Sequence, residues 1–316
     1  MTVGIGLAMP QLGPHVDGAT VQRFCRRAEE LGYASLWAQE HLFYPTGNTS
    51  GYAGRQDTSV HPAYKSILGP TELLAFAAAT TERLMIGSSV LVAGYHRPVE
   101  LAQRVSTLDV LSGGRMVLGL SAGWSHEEHA QMDVDPTTRG SRMNELIEAL
   151  RACWGPDPIE HHGEHFDIPE AAMGPKPLQP HLPLLSGLRS RAGLRRTARY
   201  FDIWNPTRGT ADELRAHLAD MAEQRPEGMA PLRLFLRCYT QRPTAPVGAG
   251  GSGLDGALAD LATAVEAGAE QLIVDTSFAD EMDSTQAWED VPDMLAPLLT
   301  ATGVDSPQPA TTGANR

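Results

Sequence analysis

The sequence is poor in cysteine and in positive charge. Its 3 cysteines, Cys25, Cys153 and Cys238, are odd in number and widely spaced along 316 residues, which argues against a disulfide framework. We therefore expect reduced structural thiols in a cytoplasmic protein. Lysine and arginine total 25 against 38 aspartate and glutamate residues, and the resulting net charge of −13 argues against nucleic acid or an anionic membrane as the main partner.

Long apolar runs are also missing. The first residues, MTVGIGLAMP, have no basic start and too short an apolar run for a signal peptide, and no later run reaches the length of a membrane span. What the chain does have is 42% hydrophobic and 20% charged residues, which is typical of a globular protein with a large core. A length of 316 residues suits two domains or one (βα)8 barrel of ~250 residues.

A strand–helix–strand unit organises the rest of the chain. Residues 84–90 and 115–121 are short apolar runs typical of buried strands, and residues 98–111 carry apolar side chains at helical spacing. Gly113 and Gly114 end this helix, because glycine takes the left-handed conformation at little cost. Two strands joined by a helix lie parallel, and a parallel sheet presents its chemistry at the carboxyl ends of its strands.

The same alternation continues along the whole chain. Strands are predicted at residues 3–9, 34–38, 84–90, 115–121, 184–186, 201–204, 232–239 and 271–275. Helices are predicted at residues 17–32, 70–81, 98–111, 139–154, 191–199, 211–223, 254–267 and 286–299. This pattern predicts an α/β fold, a single (βα)8 TIM barrel over residues 1–301, with a doubly wound sheet as the alternative. Two segments interrupt the alternation of strands and helices: a long loop at 44–69 after the second strand and a small hairpin insertion at 159–168. The composition of residues 302–316 predicts a disordered tail.

Candidate catalytic residues lie at the carboxyl ends of these strands. Glu40 and His41 follow the second strand, and an imidazole can exchange protons near neutral pH because its ordinary pKa is about 6.5. Glu40 is equally compatible with a structural role at the barrel rim. Trp124 and His126 follow the fourth strand as candidate walls of a pocket.

Two histidine-rich segments suggest metal ligands only weakly. The spacing of His126 and His129 by itself does not define a metal site. In the run HHGEH at residues 161–165, His161 and Glu164 would face opposite sides of a strand, and the glycine suggests a turn. We therefore predict no metal site.

A phosphate site is predicted after the fifth strand. Ser186-Gly187-Leu188-Arg189-Ser190 comes just before a helix, where backbone N–H groups, a guanidinium and a hydroxyl can bind phosphate. Residues 248–253 also match GxGxxG as a string. A dinucleotide-binding turn follows its strand immediately, whereas here a segment with two prolines intervenes. We interpret residues 248–253 as a flexible loop or a secondary phosphate contact.

One long segment resembles the luciferase-like monooxygenase superfamily, especially the branch that uses the deazaflavin coenzyme F420: IGSSVLVAGYHRPVELAQRVSTLDVLSGGRMVLGLSAGW. The resemblance covers residues 3–205 well and the remainder loosely, and it favours the barrel over the doubly wound sheet. It implies that His41 faces the cofactor and that a cis peptide bond at Ser89–Val90 bulges against the cofactor ring. Gly187-Leu188 departs from the Gly-Gly pair that is usual in this family.

The resemblance and the strand ends together imply three sets of site residues. The catalytic pair is His41 with Glu40. The predicted cofactor-binding residues are Met9, Ser88, Ser89, Val90, Gly123, Trp124, Gly187, Leu188, Arg189 and Ser190. The predicted substrate pocket consists of Tyr44, His96, His126, Trp204 and Asn205.

The function implied by the resemblance is that of an F420-dependent oxidoreductase. It would transfer a hydride between the deazaflavin and a small organic molecule, at a C=C, C=N, carbonyl or alcohol, with His41 as proton partner. The alternative is a monooxygenase that uses reduced FMN, because the segment Glu40-His41-Leu42-Phe43 is also similar to the corresponding sequence motif of the luciferases. A non-catalytic flavin-binding barrel is a third possibility. The resemblance also implies a homodimer and a separate reductase that supplies reduced cofactor.

Overall fold

The computed structural model describes residues 2–47, 60–244 and 251–301. The predicted tail at 302–316, the middle of the predicted loop at 44–69 and part of the GxGxxG string lie outside the described residues. The strands are β1 (Gly4–Ala8), β2 (Ser35–Ala38), β3 (Met85–Ser88), β4 (Leu91–Val92), β5 (Met116–Ser121), β6 (Ile159–His162), β7 (Asp167–Ala171), β8 (Leu184–Ser186), β9 (Ile203–Trp204), β10 (Arg233–Tyr239) and β11 (Gln271–Asp275). The α-helices are α1 (Gly18–Leu31), α2 (Pro70–Thr80), α3 (Pro98–Leu111), α4 (His126–Gln131), α5 (Arg139–Trp154), α6 (Arg191–Tyr200), α7 (Ala211–Glu223), α8 (Gly253–Ala267), α9 (Thr285–Met294) and α10 (Pro297–Ala301).

Parallel strands close into a barrel. β1 pairs with β2 on one side and β11 on the other, and the sheet continues in both directions until β3 meets β5 at Ile86 and Met116. Both β3 and β4 pair with β5, so they are two parts of one strand interrupted at Ser89. The nine strands of this sheet, counted over the described residues, therefore occupy eight positions around the barrel. The closed sheet confirms the predicted (βα)8 TIM barrel and excludes the doubly wound sheet, whose edges would stay open.

Local signals set the helix ends that the sequence predicts. The Asp17 carboxylate caps α1 by accepting a hydrogen bond from the N–H of Thr20 at 2.8 Å. Gly32 ends the same helix with φ of 90°, and its N–H returns to the carbonyl of Ala28. Gly113 takes φ of 69° just after α3. These ends determine where the chain turns back toward the sheet.

The barrel interior is filled with side chains. The buried residues of this interior cluster are Trp37, Val117, Leu185, Ile203, Phe235 and Ile273. Trp37 packs edge-on against Phe235 with ring centroids 6.0 Å apart, and Gly87 makes room for it, since a Cβ there would lie 2.4 Å from the Trp37 ring. A larger apolar cluster packs between the barrel wall and the helices. The filled interior leaves the carboxyl ends of the strands as the place for a ligand.

Three elements differ from the sequence prediction. The hairpin forms, but its second strand β7 extends to Ala171. The polar segment after Trp124 contains the short helix α4, which Ser125 caps by accepting from the N–H of Glu128 at 3.2 Å. The predicted last helix is divided into α9 and α10, and Pro292 near the end of α9 lacks an N–H for the helical ladder. Among the helices that the structure describes, none is both long and apolar enough to cross a membrane.

Candidate active site

A cavity of about 340 Å³ opens at the carboxyl ends of the barrel strands. Seven residues that line it belong to the predicted sets: Glu40, His41, Ser89, Val90, Trp124, Gly187 and Asn205. The other lining residues are Gln39, Tyr64, Val92, Tyr95, Ser121, Glu128, Thr207, Arg208, Arg237, Tyr239, Pro243 and Thr244. Its position agrees with the general rule for barrel enzymes, in which loops after the strands form the site.

The His41 side chain faces this cavity, and its imidazole contacts a buried carboxylate. Its Nδ1 lies 3.2 Å from Oε1 of Glu128, whose side chain is 1% exposed. The imidazole also packs edge-on against Tyr64 at 4.3 Å and at a tilt against Trp124 at 5.2 Å, measured between ring centroids. With Nδ1 at a carboxylate, the proton is assigned to Nδ1, and Nε2 is the nitrogen left for exchange with a ligand.

Glu128 gathers four groups around one carboxylate. Besides His41, Oε1 accepts from the N–H of Leu42 at 2.7 Å and from that of Phe43 at 3.4 Å, and Oε2 accepts from the Tyr95 hydroxyl at 2.7 Å. Burial would raise the pKa of Glu128, but the hydrogen bonds and the charge of His41 outweigh it and hold this pKa below its ordinary value. Burial, and then the Glu128 charge, raise the pKa of Tyr95 well above its ordinary value, so Tyr95 stays a donor. Glu128 is therefore ionised and fixes the orientation of His41.

Glu40 has a different set of partners. One carboxylate oxygen accepts from the N–H of Val92 at 2.6 Å, and the other lies 3.0 Å from Nε2 of His96. The backbone N–H of Glu40 also donates to the carbonyl of Val90. These bonds connect the end of β2 to the interrupted strand β3–β4. They are compatible with the structural role at the barrel rim that the sequence analysis considered for Glu40.

The peptide bond between Ser89 and Val90 is cis, as the resemblance implied. The Ser89 hydroxyl donates to Oδ1 of Asn205 at 2.7 Å, and Nδ2 of Asn205 donates to the carbonyl of Phe235 at 2.6 Å. The Ser89 carbonyl accepts from Nη1 of Arg237 at 2.9 Å. Residues of β10 and of the segment just after β9, neither of which pairs with β3 or β4, therefore hold Ser89 through both its side chain and its backbone.

Arg237 and Asp275 form a buried ion pair beneath this segment. Their side chains are 4% and 0% exposed, and Nη2 of Arg237 lies 2.5 Å from Oδ2 of Asp275. Burial would lower the pKa of Arg237, but its electrostatic interactions with Tyr239 and Asp275 outweigh it and raise this pKa. Nε of Arg237 is buried and has no hydrogen-bond partner among the residues described. A fixed cation with a spare donor thus lies at the cavity wall.

The predicted phosphate loop reaches the cavity only in part. Gly187 lines it, whereas Arg189 is exposed and donates from Nη1 to the hydroxyl of Thr207 at 3.2 Å. The Ser190 hydroxyl caps α6 by accepting from the N–H of Gly193. Arg208, which the sequence analysis did not single out, lines the same rim.

Three predicted residues point away from the cavity. Met9 is 1% exposed within the cluster that packs between barrel and helices. The Ser88 hydroxyl is buried in the barrel wall, where it bonds to the N–H and the carbonyl of Gly119. Trp204 packs on the helix side of β9, with its indole N–H donating to the carbonyl of Leu188. Neighbouring residues of a strand face opposite sides, so Ser89 and Asn205 face the cavity where Ser88 and Trp204 do not.

Five further predicted residues lie outside the cavity wall. Gly123 takes φ of 73°, and a Cβ there would lie 2.5 Å from the His129 ring, so close packing requires the glycine. Leu188 packs against the core cluster, His126 is exposed, and the Tyr44 ring lies under Nζ of Lys65. His96 contacts Glu40, as described above. In the described part of the chain no group of three or more metal-ligating side chains converges.

The sequence prediction missed Glu128, Tyr95, Arg237 and Asp275. Glu128 lies in the first turn of α4, where an acid is expected to stabilise the helix dipole, and this ordinary role concealed the contact with His41. Arg237 offered a usable signal, because it is a charged residue in the middle of an otherwise apolar strand. Asp275 ends the last strand and could have been paired with it.

Known proteins resemble this chain in sequence and in fold. An uncharacterised protein of Mycobacterium tuberculosis is 31% identical over 192 residues, which are 60% of this chain and 68% of that protein. The F420-dependent glucose-6-phosphate dehydrogenase of Amycolatopsis mediterranei is 28% identical over 186 residues, 57% of this chain and 50% of that protein. The oxygenase component of a flavin-dependent trigonelline monooxygenase of Acinetobacter baylyi is 31% identical over 126 residues, 39% of this chain and 35% of that protein.

Solved structures agree on the fold. An F420-dependent secondary alcohol dehydrogenase in complex with an F420-acetone adduct superposes with a TM-score of 0.74 at 14% identity, covering 96% of this chain and 99% of that one. A long-chain alkane monooxygenase gives 0.73 at 14% identity, covering 96% and 92%. Identities this low show the fold alone. The family model described as luciferase-like monooxygenase matches residues 2–242, and the chain therefore belongs to the luciferase-like monooxygenase family.

Proposed function

We propose that this protein is an oxidoreductase that uses the deazaflavin F420 to transfer a hydride to or from a small organic molecule, at a C=C, C=N, carbonyl or alcohol. The observation that carries the proposal is the pair of His41 and Glu128: a cavity-facing imidazole, 3.2 Å from a buried carboxylate, beside Ser89 and Val90. Similarity to an F420-dependent glucose-6-phosphate dehydrogenase supports the choice of cofactor.

The residues of the cavity fit a flat heteroaromatic cofactor. Gly187 keeps the space beside Val90 open, since a Cβ there would lie 3.4 Å from Cγ1 of Val90. Trp124 lines the same space, and the spare Nε donor of Arg237 suits a polar ring edge. In our proposal Ser89, Val90 and Trp124 hold the ring, and the loop at Gly187 with Arg189 and Arg208 binds the phosphate.

The chain itself provides position and proton exchange. When bound, a deazaflavin, which has a carbon in place of the flavin N5, would supply or accept a hydride and would not form the oxygen adduct of a flavin. Hydride transfer to a polar double bond leaves a negative charge on the substrate, and Nε2 of His41 donates the proton that neutralises it. Glu128 keeps Nδ1 engaged and balances the positive charge of the imidazolium. In the oxidative direction, the same nitrogen accepts the proton of an alcohol.

A monooxygenase that uses reduced FMN is the second candidate. It is favoured by the similarity to the trigonelline monooxygenase component and by the luciferase-like sequence motif Glu40-His41-Leu42-Phe43. In that case a separate reductase would supply the reduced flavin. A non-catalytic barrel is less favoured, because the chain retains His41 and the small residues at the strand ends. The homodimer and the cytoplasmic location stay predictions.

Cofactor titration tests the proposal. Purified protein is titrated with F420 and with FMN while tryptophan fluorescence is followed, and we expect saturable quenching at lower concentrations of F420 than of FMN. The variant Trp124→Phe tests which tryptophan is quenched, because Trp124 lines the cavity while Trp37, Trp204 and Trp288 are buried in the core. Tight binding of FMN without a response to F420 would replace hydride transfer by the monooxygenase alternative.

A further inference from the structure

A second groove, of about 520 Å³, lies between α6 and α7 on the outside of the barrel. We call it the α6–α7 groove; its walls are formed by Arg189, Arg191, Leu194, Arg195, His217, Asp220, Met221 and Gln224. Three of these side chains are arginines, and Asp220 is the one acid among these lining residues. The groove is therefore positively charged on a protein whose net charge is −13.

The arginines of the groove are not neutralised by the protein. Arg191 and Arg195 are exposed, and within the described residues neither takes part in an ion pair or a hydrogen bond. Some exposed arginines on other helices are paired, as Arg27 is with Asp293 and Arg215 with Glu266. Two unpaired guanidinium groups, one helical turn apart and facing the same groove, favour a ligand with more than one negative charge.

The groove adjoins the active-site cavity. Arg189 lines the groove, and its Nη1 donates to the hydroxyl of Thr207 at 3.2 Å. Thr207 in turn lines the cavity together with Gly187 and Arg208. A ligand whose phosphate lies at the Gly187 loop can therefore continue into the groove without crossing the barrel mouth.

We propose that the α6–α7 groove binds the anionic tail of F420. This inference rests on the proposed function and deepens it. FMN ends at its phosphate, whereas F420 continues beyond the phosphate with a lactyl group and a chain of γ-linked glutamates, each of which carries a carboxylate. Arg191 and Arg195 pair with these carboxylates, while Arg189 and Arg208 remain at the phosphate. The groove thus selects F420 over FMN at a distance from the reacting ring.

The experiment compares two forms of F420 that differ only in the tail, with FMN as a third ligand. Dissociation constants are measured by fluorescence quenching, at low and high salt, for F420 with a long glutamate tail, for the form that ends at the lactyl group, and for FMN. The variant Arg191→Ala/Arg195→Ala removes the two unpaired cations. Its matched control, Arg26→Ala/Arg199→Ala, also removes two exposed positive charges, but neither of these lines the groove. Arg191→Lys/Arg195→Lys keeps the charge.

We expect the wild type to bind the long-tailed form about three- to tenfold more tightly than the form without glutamates, the range for two exposed charge pairs. This preference should be lost in the double alanine variant, be retained in the control and in the lysine variant, and shrink at high salt. Equal affinity of the wild type for both deazaflavin forms would refute the groove as a tail site while leaving the proposed function intact. An equal loss in the control variant would also refute it. Tight binding of FMN alone would overturn the proposed function and the tail site together.

Discussion

The sharpest test of the active site is His41→Asn. Asparagine keeps a hydrogen-bonding side chain but cannot exchange a proton near neutral pH. A positioned general acid contributes about 10²–10⁴-fold in rate, which corresponds to about 3–5 kcal/mol of transition-state stabilisation. We therefore expect turnover to fall by about two orders of magnitude or more, while cofactor affinity changes by less than about tenfold.

The structure indicates that the variant will fold. His41 provides one of the four contacts of the Glu128 carboxylate, and the bonds from Leu42, Phe43 and Tyr95 remain after the substitution. Loss of one hydrogen bond costs about 1 kcal/mol, and loss of the ring contact with Tyr64 costs about another 1 kcal/mol. A decrease of about 2 kcal/mol in the free energy of unfolding is tolerable for a domain of this size.

The assay follows the absorbance of bound deazaflavin in a single turnover. Reduced protein–cofactor complex is mixed with a substrate found by screening small ketones, imines and activated alkenes, and the rate is recorded across pH. His162→Asn is the matched control, because His162 also contacts a carboxylate, Asp167 at 2.6 Å, but lies in the exposed hairpin. Normal turnover of His41→Asn, or a defect confined to cofactor binding, would show that His41 has a structural role and does not exchange the proton.

Three further predictions concern residues around the site. Glu128→Gln should lower the free energy of unfolding by about 1.5–3 kcal/mol near neutral pH. Because the folded-state pKa of Glu128 lies below its ordinary value of about 4.5, the difference from wild type should be fully present above pH about 4.5 and be lost as pH falls through the lower folded-state pKa, which urea unfolding at several pH values would reveal. Arg237→Met or Asp275→Leu alone should destabilise by about 3–5 kcal/mol, whereas the double variant Arg237→Met/Asp275→Leu should cost clearly less than the sum of these two single changes. Additive costs in urea unfolding would contradict a coupled buried pair. Arg189→Ala should weaken F420 and FMN alike by about 1.5 kcal/mol, with a loss that decreases at high salt, and unchanged affinity in fluorescence titrations would assign the phosphate to Arg208.

Local signals were sufficient for the fold. Apolar spacing, the cap at Asp17 and the glycines at 32 and 113 define helices whose observed ends agree with the prediction to within a residue or so. Alternation of strands and helices then leaves few topologies, and a closed barrel is one of them. The carboxyl-end rule also placed His41, Ser89 and Asn205 at the cavity, because a parallel barrel gathers its strand ends on one face.

The contacts that define the chemistry were decided by the tertiary structure. Glu128 is 87 residues from His41 in the chain, and Arg237 is 38 residues from Asp275, so no local pattern connects either pair. The sequence also does not indicate which residue of a strand as short as β9 points into the barrel, since Ile203 and Trp204 are both apolar and both buried. The sequence by itself determined which segments become strands and helices, because those preferences are local. Only barrel closure decided which side chain faces the cavity and which carboxylate meets the imidazole, because it brings together strand ends that are remote in the chain.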